Sequence, residues 1–332
     1  MKLDRMTSAL AVLILSVAAV PAQAQDKVTV ASATAVTAVP VLIAANKGFF
    51  QQEGLTVEVK RLAGGNETIN ALAANTVEFA ESSHAQFISA SAKGLPVAGI
   101  SLVSRGFFGK MIAAPRNADL TDLKQYKGKR IGIQAGTGVY TVFMMTLEKQ
   151  GLDPKDFTIS NMRVNDMPAV MQSNDFDAVV AWEPQAKRIV ESGRGKEVIS
   201  AARFEEMADI TYPFILLTHR RILNDRREMV QRYVNGMARA QKFIRENRKA
   251  TIDFYRSTLP PDVRSTVPDA ELEEQIYGAS RYDRVEFAPG DLTDLRRTAE
   301  FLAAQKTIDR VPDLGTSIDL EIGRRAQPLV VR

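Results

Sequence analysis

The stretch GKRIGIQAGTGVYTVFMMTLEKQG, residues 128–151, joins a strand, a loop of small residues and a helix without a spacer. Its β-branched isoleucines indicate a strand at 129–134, and apolar residues at helical spacing follow from Val139. A helix start carries unpaired N–H groups and partial positive charge, which favour an anion. The Gly-Thr-Gly loop at 136–138 therefore predicts an anion site. The alternative is an ordinary connection that binds nothing.

The composition around this stretch is that of a globular protein. The chain has 332 residues, 45% of them hydrophobic and 25% charged, and is long enough for two domains. The formal net charge is +4, and the basic residues are dispersed among acidic ones, so nucleic acid is not expected as a partner. The absence of Cys from the sequence excludes disulfides, thiolate metal sites and lipid attachment through a cysteine.

The N-terminus has the three parts of a secretory signal at residues 1–24. Lys2 and Arg5 precede an apolar core at 10–20, and Ala22-Gln23-Ala24 fits a cleavage site. The apolar core is too short to span a membrane, which would need about 20 residues. The mature chain is therefore expected to begin at Gln25, outside the cytoplasm and without a lipid anchor.

Strands and helices alternate along the mature chain, which predicts a parallel sheet with helices on both faces. The order found at 27–104 repeats at 130–181, and aligning Asn75 with Asn174 places Ser83-His84 against Trp182-Glu183. This internal duplication predicts two sheets whose strand-end loops face each other across a ligand cleft. Chance similarity between two generic units is the alternative.

Five blocks extend through the mature chain to about residue 200: PVLIAANKGFFQQEGLTVEV, LAGGNETINALAANTVEFA, LTDLKQYKGKRIGIQAGTGVY, LEKQGLDPKDFTI and MQSNDFDAVVAWEP. Together they resemble the substrate-binding proteins of the nitrate, sulfonate and taurine class of ABC importers. The resemblance implies the type II periplasmic binding protein fold, in which two doubly wound α/β domains are joined by two crossing hinge strands and close on a small solute.

The domain boundaries follow from matching this fold to the chain. The signal peptide occupies residues 1–24, and the first domain is discontinuous, at 25–109 and 219–332. The second domain, 110–218, includes both hinge strands, which are expected at 110–115 and 212–218. The helical segments after residue 219 are expected to pad the first domain.

Ligands in the family are held by the loops after the first and third strands, by the glycine and hydroxyl turn that opens the second domain, and by the WEP turn. The resemblance therefore implies these ligand-binding residues: Ser32, Thr34, Thr37, Gly64, Gly65, Ser82, Ser83, His84, Gly136, Thr137, Gly138, Tyr140, Trp182 and Glu183.

Several of these side chains have a second interpretation. Trp182, the only Trp in the sequence, fits the core as well as the pocket, and the WEP match favours the pocket. His84 fits a helix cap or a ligand contact equally.

Because a buried carboxylate beside an anion is unfavourable, Glu81 and Glu183 indicate either a ligand with N–H donors or carboxylates that hold neighbouring loops. The loop role is favoured for Glu183, and Arg105, Phe107 and Phe108 are expected at the rim.

No enzyme motif was found: the sequence has two His and lacks HExxH, GxSxG and Walker patterns, so no catalytic residue, metal or cofactor is expected.

The resemblance implies a monomeric periplasmic protein that delivers a small anionic or zwitterionic solute, similar to sulfonate, taurine or nitrate, to an ABC permease and ATPase complex. The alternatives are a periplasmic sensory module and an enzyme of thiamine-pyrimidine synthesis on the same scaffold. The export signal argues against that enzyme.

Overall fold

Two five-stranded sheets form the centre of the protein in its computed structural model, which describes residues 25–278 and 280–331. The expected signal peptide at 1–24 lies outside the described residues. The strands in this part of the chain are β1 (Asp26–Ala33), β2 (Leu55–Leu62), β3 (Phe79–Ser83), β4 (Val97–Arg105), β5 (Lys110–Ala113), β6 (Arg130–Ile133), β7 (Thr158–Asn161), β8 (Ala178–Ala181), β9 (Lys196–Ile199) and β10 (Pro213–His219).

Helices cover the faces of both sheets. Those before β10 are α1 (Val39–Asn46), α2 (Phe49–Gln52), α3 (Gly65–Ala73), α4 (His84–Ala92), α5 (Gly138–Lys149), α6 (Met167–Gln172), α7 (Gln185–Glu191) and α8 (Ala201–Ala208). Those after β10 are α9 (Arg220–Asp225), α10 (Arg227–Glu246), α11 (Arg248–Thr258), α12 (Pro261–Arg264), α13 (Asp269–Glu273), α14 (Pro289–Ala304), α15 (Leu314–Ser317), α16 (Leu320–Ala326) and α17 (Pro328–Val331). A π-helical turn, Glu274–Gly278, follows α13. Among the described helices, none is long and apolar enough to cross a lipid bilayer.

The two sheets have the same topology. The strand order is β2-β1-β3-β10-β4 in the first and β7-β6-β8-β5-β9 in the second. In each sheet the first three strands of this order are parallel, as the internal duplication predicts. The next strand, β10 or β5, runs antiparallel to both its neighbours, so the sheets are mixed and the expected wholly parallel sheet is wrong. Each of these two strands, β5 and β10, is the first strand that the chain forms after it crosses from the other domain.

The chain passes from the first sheet to the second between β4 and β5, at residues 106–109, and returns between α8 and β10, at 209–212. The first crossing was expected along 110–115, but strand β5 pairs with β8 and β9 and therefore belongs to the second sheet. The second crossing was expected along 212–218, but strand β10 pairs with β3 and β4 and therefore belongs to the first sheet. Asp209 and Tyr212 have left-handed backbone angles, with φ of 52° and 48°. The chain reverses at this point, which a regular strand could not do.

The two Asn residues that align in the internal duplication lie at corresponding helix ends. Asn75 and Asn174 follow α3 and α6 with φ of 57° and 60°, the left-handed conformation that Asn tolerates. The long helix α10 buries an apolar face that includes Met229, Tyr233 and Met237, and the ring of Tyr233 stacks on that of Phe79 of β3 with centroids 3.8 Å apart. Helix α14 contacts both α4 and α5, so the C-terminal segment touches the second domain as well as the first.

Asp177 fixes the start of β8 and with it the second sheet. Its Oδ2 accepts a hydrogen bond from the backbone N–H of Arg130 at 2.9 Å, and its Oδ1 accepts from Asn117 Nδ2 at 2.9 Å and from Arg116 Nη2 at 3.1 Å. Partial burial favours the neutral acid, but these hydrogen bonds outweigh it and hold the pKa of Asp177 below its usual 3.8.

We expect Asp177→Ala to lower the free energy of unfolding by about 1 to 3 kcal/mol at pH 7, because charge-assisted hydrogen bonds are lost. The folded-state pKa is depressed, so this stability is present above pH 3.8 and is lost as the pH falls through the folded pKa. Urea unfolding at several pH values measures the difference. Asp175→Ala, at an exposed neighbouring position, serves as the control, and an equal effect of the two variants would contradict this account.

Candidate ligand-binding site

A cavity with about 520 Å³ of empty space, including its open mouth, lies between the strand-end loops of the two sheets. We call it the first cavity. Its lining residues come from both domains and from both crossings: Ala33, Ala35, Thr37, Ala63, Gly64, Gly65, Asn66, Glu67, Ser83, Gln86, Phe108, Gln134, Thr137, Gly138, Val139, Trp182, Tyr212 and Phe214.

Three helices begin at the wall of the first cavity. Helix α3 begins at Gly65, α4 begins after Ser83, and α5 begins at Gly138 after Thr137. The first N–H groups of a helix have no intrahelical partner, and the macrodipole makes this end partly positive. Two of these starts belong to the first domain and one to the second. The cavity can therefore hold an anion or another hydrogen-bond acceptor between the domains.

Thr37 supplies a buried hydroxyl at this wall. The residue is 1% exposed, and its Oγ1 has no hydrogen-bond partner among the described residues. A buried hydroxyl without a partner is unfavourable, so it indicates a group that would bind there. Thr137 behaves differently: its Oγ1 accepts from the backbone N–H of Tyr140 at 3.2 Å and donates to the carbonyl of Gln134 at 2.7 Å. Its hydroxyl caps α5, and no donor remains for a ligand.

Gln86 organises the polar side of the cavity. Its Oε1 accepts from Ser82 Oγ at 3.1 Å and from Ser83 Oγ at 2.9 Å, so its Nε2 is the atom that donates to Asn66 Oδ1 at 3.0 Å. Because Asn66 Oδ1 accepts this bond, its Nδ2 remains as a donor. Asn66 Nδ2 lies 3.5 Å from the position of a Cβ built on Gly136, in the loop of the opposite domain. The network thus presents an N–H donor across the cleft.

The domains meet at Gly138. A Cβ at this position would overlap the hydroxyl of Tyr212 and would lie 2.7 Å from the side chain of Ser83. Only glycine permits this approach, which brings the α4 and α5 starts together. The hydroxyl of Tyr212 is hydrogen-bonded to the side chain of Ser83, and burial raises the pKa of Tyr212, so the hydroxyl remains protonated.

Aromatic rings form the remaining wall of the first cavity. The ring of Phe108 lies 5.5 Å from Tyr212, 6.3 Å from Phe214 and 6.3 Å from Trp182 between centroids, each nearly perpendicular. Trp182 is 9% exposed, packs in the core and also lines the cavity. Both interpretations of Trp182 from the sequence therefore describe part of its environment. This wall suits the apolar part of an organic molecule.

The buried Glu81 and His84 lie behind the cavity and do not line it. Ser32 Oγ donates to Glu81 Oε2. Complete burial raises the pKa of Glu81 to about 8, against weaker lowering by Ser32 and Arg61, so Glu81 is protonated at neutral pH. Burial lowers the pKa of His84 to about 3, and its ring packs edge-on against the ring of Tyr212, with the centroids 5.0 Å apart. Both side chains are neutral supports of the loop.

Glu183 holds neighbouring elements together. Its Oε1 lies 3.3 Å from Lys110 Nζ on β5, and its Oε2 accepts from the backbone N–H of Lys187 at 3.0 Å, on α7. Burial raises the pKa of Glu183, and the charge of Lys110 opposes that rise. The carboxylate therefore joins the first strand of the second domain to the WEP turn, which is the role that the sequence favoured.

The structure brings part of the predicted set into the first cavity: Thr37, Gly64, Gly65, Ser83, Thr137, Gly138 and Trp182. The others lie elsewhere. Ser32, Ser82 and His84 are buried behind the wall of the first cavity. Thr34 is exposed, and its hydroxyl donates to the carbonyl of Leu62. Gly136 and Tyr140 line a separate cavity beside α4, and Glu183 lines a cavity that adjoins the first. The sequence reasoning missed Asn66, Gln86, Gln134, Tyr212 and Phe214. Only Asn66 and Gln86 had a signal in the sequence: Asn66 is a polar residue of the loop expected at 63–66, and Gln86 lies in the first turn of the helix expected at 85–93.

The described residues contain no group of three or more His, Asp or Glu side chains that could hold a metal ion. The hydroxyl of Ser83 donates to the amide oxygen of Gln86 at 2.9 Å. The first cavity offers hydrogen-bonding groups, aromatic rings, three helix starts and the carboxylate of Glu67.

Comparison with known proteins gives a consistent result. The family model described as NMT1/THI5 like matches residues 36–250. The chain is 26% identical over 233 residues to a protein of Brucella abortus named as a binding protein, covering 69% of this chain and 70% of that protein. It is 22% identical over 232 residues to the 4-amino-5-hydroxymethyl-2-methylpyrimidine phosphate synthase of Aspergillus parasiticus, covering 67% of each.

The fold is similar to that of the alkanesulfonate-binding protein SsuA from Xanthomonas axonopodis pv. citri, solved with MOPS bound. The TM-score is 0.74 at 15% identity, and the match covers 90% of this chain and 99% of that one. At this identity the similarity shows the fold. It confirms the two-domain α/β architecture, and together with the family match it confirms the resemblance drawn from the sequence blocks.

We expect Thr137→Val to lower the free energy of unfolding by about 0.5 to 2 kcal/mol, because α5 loses its N-cap. Thr37→Val is the matched control: its hydroxyl has no partner among the described residues, so replacing it by a methyl group should be neutral or stabilising. Denaturant unfolding of both variants without ligand makes the comparison. A larger loss in Thr37→Val than in Thr137→Val would contradict these assignments.

Proposed function

The chain belongs to the NMT1/THI5-like family, and from that premise we propose that it is a periplasmic solute-binding protein that delivers a small anionic or zwitterionic organic solute to an ABC importer. One observation carries the proposal: three helix starts from two domains meet at one cavity beside the buried hydroxyl of Thr37, which has no partner in the described chain. A site of this kind binds the acceptor atoms of a ligand between two domains that can close on it.

The aromatic wall favours an organic solute over a bare inorganic ion. Phe108, Trp182 and Phe214 would contact an alkyl or aromatic portion, while the polar side would bind oxygen atoms. SsuA, which shares the fold, is named for binding alkanesulfonates. A sulfonate or carboxylate headgroup fits the helix starts of the first cavity equally well, because both offer several acceptor oxygens.

Delivery to a permease and ATPase complex, a periplasmic location and a monomeric state complete the proposal. They are supported by the binding-protein relative, by the shared fold and by the expected signal at residues 1–24. A pyrimidine-forming enzyme is the second candidate, because a synthase is among the relatives of the chain. An enzyme would consume its ligand, whereas a binding protein releases it unchanged.

A thermal-shift panel of alkanesulfonates, taurine, nitrate, aromatic acids and aminopyrimidines tests the proposal. A true ligand at a hundredfold its dissociation constant should stabilise the protein by about 2.7 kcal/mol. The same ligand should bind Thr37→Val more weakly by about 1 to 3 kcal/mol, because one buried hydrogen bond is lost. The control is Thr34→Val, on the same loop but outside the cavity, which should bind normally.

Mass spectrometry of the ligand after prolonged incubation completes the test. Recovery of unchanged ligand supports a binding protein. Conversion of the ligand, or the absence of any shift with every member of the panel, would contradict the proposed function.

A further inference from the structure

Asn66 and Gln134 line the first cavity from opposite domains, and each carries a side-chain amide. Asn66 lies in the first turn of α3, and Gln134 follows β6. An amide has an oxygen, which accepts hydrogen bonds, and a nitrogen, which donates two. The atom that each amide offers to a solute therefore depends on which of its atoms the protein already binds.

The amide of Gln134 has a fixed orientation. Its Oε1 accepts a hydrogen bond from the backbone N–H of Val164 at 2.9 Å. A backbone N–H can only donate, so the atom that it contacts must be the amide oxygen. Within the part of the chain that the structure describes, Nε2 of Gln134 donates to no protein group. This nitrogen is therefore left as a donor at the wall of the first cavity.

Gln86 orients the amide of Asn66 in the same sense. Nε2 of Gln86 donates to Asn66 Oδ1 at 3.0 Å, and the hydroxyls of Ser82 and Ser83 donate to the other end of the Gln86 amide. Gly65 makes room for this arrangement, because a Cβ at that position would overlap Gln86 Oε1. Nδ2 of Asn66 is therefore the second donor at the cavity wall.

Two further features of the first cavity favour a solute with acceptor atoms. Glu67 is the only charged side chain among the described residues that line it, so no described Lys or Arg lines the cavity. Thr37 adds a buried hydroxyl whose Oγ1 has no hydrogen-bond partner among the described residues. Neutral donors, and not cationic side chains, are therefore the groups that can bind a solute here.

We propose that Asn66 and Gln134 select the solute of the first cavity, by donating from their amide nitrogens to its acceptor atoms from opposite domains. Gln86 is the positioning residue that fixes the amide of Asn66. This inference rests on the proposed function and assigns residues to it. Because the protein binds both amide oxygens, neither amide can turn over to accept from a solute without losing a hydrogen bond, and this cost disfavours solutes that offer only donors.

Exchange of each amide nitrogen for oxygen tests the inference with little change of shape. In Asn66→Asp and Gln134→Glu, one carboxylate oxygen still accepts from Gln86 or Val164, and the other replaces the donor that faces the solute. The probes are butane-1-sulfonate, pentanoate, benzoate and nitrate. We expect calorimetry to show that the probe with the highest affinity for the unaltered protein binds each variant about tenfold or more weakly. Denaturant unfolding without a probe verifies that the variants remain folded.

The internal duplication supplies a matched control. The alignment that pairs Asn75 with Asn174 also pairs Asn66 with Asn165. Oδ1 of Asn165 accepts from Gln185 Nε2 at 3.0 Å, across the same separation of 20 residues as the bond between Gln86 and Asn66. Asn165 is not among the residues that line the first cavity. Asn165→Asp therefore makes the same chemical change outside the site and should alter the affinity by less than about twofold.

Gln86→Glu tests the positioning role separately. One carboxylate oxygen would then face Asn66, which must donate to it from Nδ2 and turn Oδ1 toward the solute. Binding of the same probe should weaken by about tenfold or more in the otherwise unaltered protein, but by less than about twofold in an Asn66→Ala background. Equal weakening in the two backgrounds would show that Gln86 only supports the loop and would contradict its assignment.

The remaining outcomes separate the inference from the proposed function. Undiminished binding by either Asn66→Asp or Gln134→Glu overturns the inference, and so does an equal loss in Asn165→Asp. In these cases the protein still binds a solute, and the proposed function stands. Tighter binding of butan-1-amine, whose protonated form has no acceptor atom, than of the four probes also overturns the inference alone. If no probe binds the unaltered protein, the inference is wrong, and the wider ligand panel decides the proposed function.

Discussion

The close approach of Gly138 to Ser83 and Tyr212 is the contact on which the rest of the cleft depends. A Cβ at residue 138 would collide with both side chains, so any other residue would hold the domains apart. With glycine there, the starts of α4 and α5 come together although they belong to different sheets. The positive ends of these helices, together with that of α3, then converge on one cavity. The short distance between the starts of α4 and α5 therefore depends on the absence of a side chain at residue 138.

Contacts farther from the cavity also hold the helices around it in place, and each of them contributes little stability. Helix α8 is tied to the C-terminal segment by Glu205 and Arg281, and α7 is tied to α13 by Lys187 and Glu271. Asp294 accepts from the backbone N–H of Thr211 at the second crossing at 2.8 Å. Partly exposed ion pairs contribute little, about 0 to 1 kcal/mol each.

The sequence predicted the elements whose signals are local and missed those that depend on distant contacts. The α5 start and the left-handed Asn75 and Asn174 were predictable because turn chemistry acts over a few residues. The sheet to which β10 belongs was not predictable from the sequence, because its pairing with β3 depends on residues far away in the chain. The hydroxyls of Thr37 and Thr137 look alike in the sequence. Which of them has a partner is set by how each loop folds.

The central claim is that the solute binds between the domains at the ring of Trp182, which lines the first cavity. Trp182 is the only Trp in the sequence, so indole fluorescence reports on this position alone. Titration with a ligand identified by calorimetry is the most direct measurement. The account predicts a saturable change in emission with the same dissociation constant as calorimetry. Calorimetric binding with an unchanged indole spectrum would contradict it and would place the solute away from this cleft.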